Sequence, residues 1–133
     1  KHLRRICSPE PSLFFVDDAV SFEQARGATF HLHTRFPIKP DAGRFVIGGD
    51  QADLIVTPAW DVSAAEHGPD FIDGNERPVN HLAMSSGPGT DYRLVTVLEV
   101  VPAGTASTWS IDCSRPDVIV ARRGECEHRY QAE

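Results

Sequence analysis

Apolar positions along the chain come in short runs rich in β-branched and aromatic residues, closed by turn residues, and nowhere do they recur at the spacing of a helix face. Ten Pro and ten Gly punctuate the 133 residues at short intervals. The pattern predicts strands at residues 2–7 (HLRRIC), 12–22 (SLFFVDDAVSF), 28–36 (ATFHLHTRF), 44–49 (RFVIGG) and 52–59 (ADLIVTPA). It continues with 79–86 (VNHLAMSS), 91–102 (DYRLVTVLEVVP), 107–112 (STWSID) and 117–123 (DVIVARR). Nine strands in a chain of this length predict an all-β fold, a two-sheet antiparallel β-sandwich forming one domain over residues 1–133, and not a doubly wound α/β fold. Residues 59–78, rich in Asp, Glu, Gly and Pro, read as a long loop with one short helical turn around VSAAEH, and long loops on a sandwich often carry function.

Within GATFHLHTRF, residues 27–36, strand alternation places Thr29, His31, His33 and Arg35 on one face and Phe30, Leu32, Thr34 and Phe36 on the other. The apolar set belongs against a core, which sends both imidazoles outward, toward water, a groove or a second domain. Two residues apart on a strand means roughly 6.5 to 7 Å between Cα atoms. That spacing suits two ligands of one metal, two neighbouring groups with separate tasks, or ordinary surface histidines, and periodicity alone does not choose among them.

Charge narrows the partners. The 13 Lys and Arg against 19 acidic residues give a net charge of -6, with the basic residues scattered, which argues against nucleic acid. No apolar run approaches the about 20 residues of a membrane helix, and no leader-like segment precedes a cleavage site, so neither membrane nor localisation is indicated. The chain starts at Lys1 and enters an apolar run almost at once, and it is read as a piece of something longer. Cys7, Cys113 and Cys126 are odd in number and lack CxxC spacing, which disfavours a disulfide framework; a bridge between Cys113 and Cys126 stays open.

Two further residues bear on metal. Asp50, in GGDQAD, sits in a tight turn between two predicted strands, and His81, in VNHLAM, lies within a later strand. Imidazoles with one carboxylate form an ordinary zinc set. Against this, Asp50 also reads as a turn residue bonding its own backbone, and His81 as a half-buried strand histidine.

The succession HLRRICSPEPSLFFVDDAVSF, FHLHTRFP, GGDQADLIVTPA, GPDF and GTDYRLVTVLEVVP resembles the C-terminal β-domain of heparinase II/III-like polysaccharide lyases, including the related alginate lyases. The resemblance covers roughly residues 2–103, and its most specific parts are Val16 and Asp17, the HLH strand and the Gly-Asp turn before LIVTP. It implies an antiparallel β-sandwich preceded by a helical domain, with acidic polysaccharide bound in the cleft between them and cleaved by β-elimination. The proton-transferring Tyr and His of such enzymes sit mainly in the helical domain, so this domain alone is expected to be inactive. Carried over by position, His31 is the substrate-facing group that helps neutralise the uronate carboxylate. His33, Asp50 and His81 become ligands of a structural zinc, with His67 the alternative to His81. Arg35 adds positive potential toward an anionic glycan. No motif of this kind covers the last thirty residues; strands completing a second sheet are expected there, and His128 reads as a surface residue.

Two readings of another class compete. A stand-alone carbohydrate-binding module would display planar aromatics, and Trp60 and Trp109 are the only indoles. An interdomain packing module would need neither metal nor glycan. Tyr92 and Tyr130 are the only tyrosines, and Tyr92 reads as core packing with its hydroxyl at an edge.

Overall fold

The computed structural model describes residues 1–72, 74, 78–115 and 117–132, with the side chains of residues 70–72 and 78 outside that description. The described residues contain no helix and form twelve strands in chain order: β1 (His2–Glu10), β2 (Leu13–Arg26), β3 (Thr29–Thr34), β4 (Ile38–Asp41), β5 (Arg44–Gly48) and β6 (Ala52–Pro58), then β7 (Ala64–Ile72), β8 (Pro78–Ser85), β9 (Gly89–Pro102), β10 (Ser110–Arg115), β11 (Val118–Arg123) and β12 (Cys126–Gln131). They assemble into a six-stranded sheet of order β1-β2-β9-β6-β5-β4 and two three-stranded sheets, β3-β8-β7 and β10-β11-β12. Every pairing is antiparallel.

The all-β expectation holds, but the molecule has three sheets where two were expected, because the six-stranded sheet is covered on both faces. On one face Val16, Phe45, Ile47 and Val56 meet Phe30 of β3 and Leu82 and Met84 of β8. On the other, Leu13, Phe15, Val95 and Val97 meet Trp109 and, from β11, Ile119 and Ala121. Phe15 and Val16 are consecutive and point into different cores, which is why LFFV and LVTV read as continuous apolar runs and not as alternation.

β7, β4 and β12 are the strands that the pattern missed. β7 occupies the middle of the segment 59–78 expected as a loop, including most of the VSAAEH stretch expected as a helical turn; residues 73 and 75–77 of that segment lie outside the described residues. It is an edge strand whose Ala64 to His67 are exposed, so it needs no apolar stripe, and Pro69 sits at a bulge where a missing N–H costs nothing. β4 is the opposite edge of the large sheet and carries Pro40.

The doubly covered sheet buries two consecutive carboxylates. Asp17 and Asp18 are 1% and 3% exposed and, being neighbours on β2, face different layers. Asp18 takes a two-pronged guanidinium from Arg4, at 2.7 and 2.9 Å, and a 2.7 Å contact from His2, both on β1. Burial pushes this carboxyl up, yet the bonds from Arg4 and His2 outweigh it and hold Asp18 below the usual carboxylate range. Asp17 is gripped by the Arg93 guanidinium and receives the Tyr130 hydroxyl at 2.5 Å, which ties β12 to the middle sheet. Burial, with the bond to Asp17, pushes the Tyr130 phenol up to about 12. Its ring also stacks on Phe15 at 5.3 Å.

Removing one partner of such a pair leaves the other desolvated. Asp17→Ala is expected to cost about 3 kcal/mol and Tyr130→Phe about 1.5 kcal/mol, and the double variant less than their sum because both act on one carboxylate. Urea unfolding of the three variants checks this; additive losses would show that the groups are independent. Because the Tyr130 phenol is raised in the folded state, its contribution is complete below the ordinary tyrosine value of 10.0 and is lost as pH rises through about 12. Stability followed from pH 10 to 12 should fall in the native chain and lose that component in Tyr130→Phe.

Candidate functional site

β3 pairs with β8 in a register that sets His33 directly opposite His81 and His31 opposite Ala83. Phe30 is buried beneath, Leu32 half-buried, and His31 and His33 are exposed, as alternation requires. The His31 and His33 rings lie nearly parallel with centroids 6.4 Å apart, and His33 and His81 are 6.4 Å apart across the strands. Three imidazoles therefore form an L on the outer face of this sheet. β7 extends the same face, placing Glu66 opposite Ala83 and so in one row with His31. Glu66 escaped the sequence reading because its strand was read as a loop.

Arg35 does not continue the face. β3 ends at Thr34, whose hydroxyl accepts the Phe36 amide at 3.1 Å in a local turn, and Asn80 Nδ2 donates to the Phe36 carbonyl at 3.0 Å. Pro37 follows, which ends extended pairing here. Arg35 is exposed in this bend, and Phe36, expected against the core, is 42% exposed. Phe36 instead helps line a groove of about 380 Å³ beside His33, with Leu32, Ile47 and Leu54 as its apolar wall and Gly49 and Ala52 at its end.

Asp50 stands exposed at the tip of the turn joining β5 to β6. The turn bonds are made by Asp53, whose carboxylate accepts from Gly49 N at 3.2 Å and Gly104 N at 2.9 Å, so Asp50 is not the residue that closes it. Gly49 admits no side chain, since a Cβ there would lie 2.4 Å from the Ala52 carbonyl oxygen.

His81 Nδ1 is buried with no hydrogen-bond partner among the described residues, a property that suits a metal ligand. Its ring centroid lies 6.4 Å from that of His33, the other imidazole of the expected zinc set. The set of three is not assembled, however: among the described residues, the group of three whose ligand atoms all fall within 4.8 Å of one another is Glu10, Cys126 and His128. His67 has the other parity on β7, opposite the buried Leu82, with its ring against Phe45 at 6.0 Å, and so faces away from His33 and His81.

Of the aromatic residues, Trp60 is half-buried against the first core and donates its Nε1 to Thr96 Oγ1 at 3.3 Å, and Trp109 is buried in the second. Neither is an exposed stacking platform. Trp60 does border a cleft of about 450 Å³ with Asp61, Arg93, Cys113 and Ser114. Tyr92 packs edge-on to Phe22 at 6.1 Å, and its hydroxyl sits between the carbonyls of Arg26 and Gly87. All three cysteines are free. His128, read as a surface residue, turns toward the protein on the face of β12 that carries Cys126 and Tyr130, and its bond to Glu10 is the largest of the effects holding that carboxyl low. No helix of the described residues is long and apolar enough to cross a membrane. No protein-family model matches the chain, and no curated protein matches its sequence.

Proposed function

We propose that this chain is the β-domain of a polysaccharide lyase of the heparinase II/III-like kind, and that it recognises acidic polysaccharide through the outer face of β3-β8-β7. The observation that supports the reading is the row of imidazoles, His31, His33 and His81, beside a shallow groove walled by Leu32, Phe36 and Leu54. A pyranose ring has apolar C–H faces and a uronate adds one carboxylate, so an apolar wall with His33 at its edge, next to the face that carries His31 and His81, matches both parts of such a sugar.

In β-elimination the uronate carboxylate must lose charge before the adjacent C5 proton becomes acidic. His31, exposed at mid-strand, is the group placed to donate to that carboxylate and stabilise the developing aci-carboxylate. Proton abstraction and protonation of the leaving oxygen fall to an upstream helical domain of the same chain. A structural zinc on His33, Asp50 and His81 would have to draw the Asp50 turn onto the two imidazoles, and no chemical step passes through it. Arg35 contributes only long-range positive potential, since it lies beyond the strand end.

Calorimetric titration with uronate oligosaccharides, such as oligoalginate, tests the reading. Binding should weaken about tenfold in His31→Ala, a loss of roughly 1.4 kcal/mol, and should weaken with added salt. The isolated chain should release no unsaturated uronate. Binding that ignores His31→Ala but is abolished by Trp60→Ala would transfer the site to the Trp60 cleft and favour a carbohydrate-binding module.

A further inference from the structure

Glu10, Cys126 and His128 meet on the side of the molecule built by the C-terminal strands. Cys126 and His128 are two apart on β12 and share its inward face; Glu10 ends β1 at an irregularity in its pairing with β2. The three edges of the cluster are 3.6 Å from Cys126 Sγ to His128 Nε2, 3.7 Å from Sγ to Glu10 Oε1, and 3.0 Å from Nε2 to Oε1. Zinc bonds of about 2.3 Å to sulfur and about 2.0 Å to nitrogen and oxygen, at tetrahedral angles, set these edges at roughly 3.5, 3.5 and 3.3 Å. The cluster thus has the dimensions of a zinc site before any rearrangement.

Its surroundings agree. The second Glu10 oxygen, Oε2, is held by Arg123 Nη2 at 2.8 Å, which orients the carboxylate and leaves Oε1 as the single ligating atom. The Arg123 guanidinium in turn lies 4.3 Å over the Trp109 ring, and Trp109 packs against His128 at 5.4 Å. Trp109 is 3% exposed, and its indole N–H has no acceptor among the described residues. Glu10 and His128 are about a quarter exposed, so an ion can reach them from solvent.

We infer that Glu10, Cys126 and His128 form a binding site for a zinc-like divalent cation, with a fourth position open to water. Binding replaces the Cys126 thiol proton: the thiolate, the neutral His128 Nε2 and the Glu10 carboxylate bond the metal, one proton leaves to solvent, and no redox change occurs. The Cys126 thiolate and the His128 imidazole suit zinc better than calcium or magnesium, which take oxygen ligands. The metal would clip β12 to the β1–β2 hairpin, joining segments 116 and 118 residues apart. This site is separate from His33, Asp50 and His81 and does not depend on the lyase reading.

Cobalt(II) titration of the full chain, followed by zinc competition, tests it. The expected result is one thiolate-bound cobalt per chain, marked by a near-ultraviolet charge-transfer band and intense tetrahedral visible bands, both displaced by zinc. The band should vanish in Cys126→Ser and persist in Cys113→Ser and His33→Ala. Glu10→Gln, at the exposed hairpin, should weaken cobalt binding roughly a hundredfold and provides a second readout should Cys126→Ser fold poorly. Absence of the thiolate band, or a band that survives Cys126→Ser, overturns the inference, as does binding abolished by His33→Ala alone.

Discussion

Charge neutralisation inside a doubly covered sheet is the constraint on which the rest of the structure depends. β2 runs through the middle of the molecule with apolar side chains on both faces, and it also carries Asp17 and Asp18, one facing each layer. An unpaired carboxylate at that depth would be prohibitively costly, so each must be met by a partner from a neighbouring strand or a covering sheet. β1 delivers Arg4 and His2 to Asp18, while β9 and β12 deliver Arg93 and Tyr130 to Asp17. The carboxylates thereby fix which strand lies where: the Tyr130 bond holds β12 in place, and through it the position of Cys126 and His128.

A third buried carboxylate does the same for a connection. Glu99 on β9 accepts Ser107 Oγ at 2.5 Å, Thr108 N at 2.8 Å and Thr108 Oγ1 at 2.9 Å, pinning the segment that leads from β9 into the outer meander. The sheet β3-β8-β7 instead packs through apolar side chains, among them Phe30, Leu32, Leu82 and Met84, and carries its imidazoles on the opposite face. The division is physical: carboxylates buried within the stack build it, and the groups on its outer faces remain available to ligands.

Much of this was legible in the chain. Alternation in TFHLHT gave the two faces of β3, and the burial of Phe30 with the exposure of His31 and His33 follows from it. The third layer leaves one trace in the chain, the continuous apolar runs LFFV and LVTV, which lack the alternation of a strand covered on one face. β7 was hidden because an edge strand with Ala64, Glu66 and Pro69 carries no hydrophobic period, and with it went Glu66. Arg35 lies one residue past the end of β3, in a bend that the Thr34 hydroxyl and Pro37 set, where strand alternation no longer assigns a face. The Glu10, Cys126 and His128 cluster joins residues from the two ends of the chain, and no local spacing announces a contact at that separation.

The central functional claim is that the outer face of β3-β8-β7 is the glycan surface. Nuclear magnetic resonance of the isotopically labelled chain during titration with a uronate oligosaccharide tests it most directly, by mapping which residues shift. Shifts should concentrate on His31, His33, His81 and the groove at Phe36. Shifts confined to the cleft bordered by Trp60, Asp61 and Ser114, with the imidazoles unmoved, would contradict it.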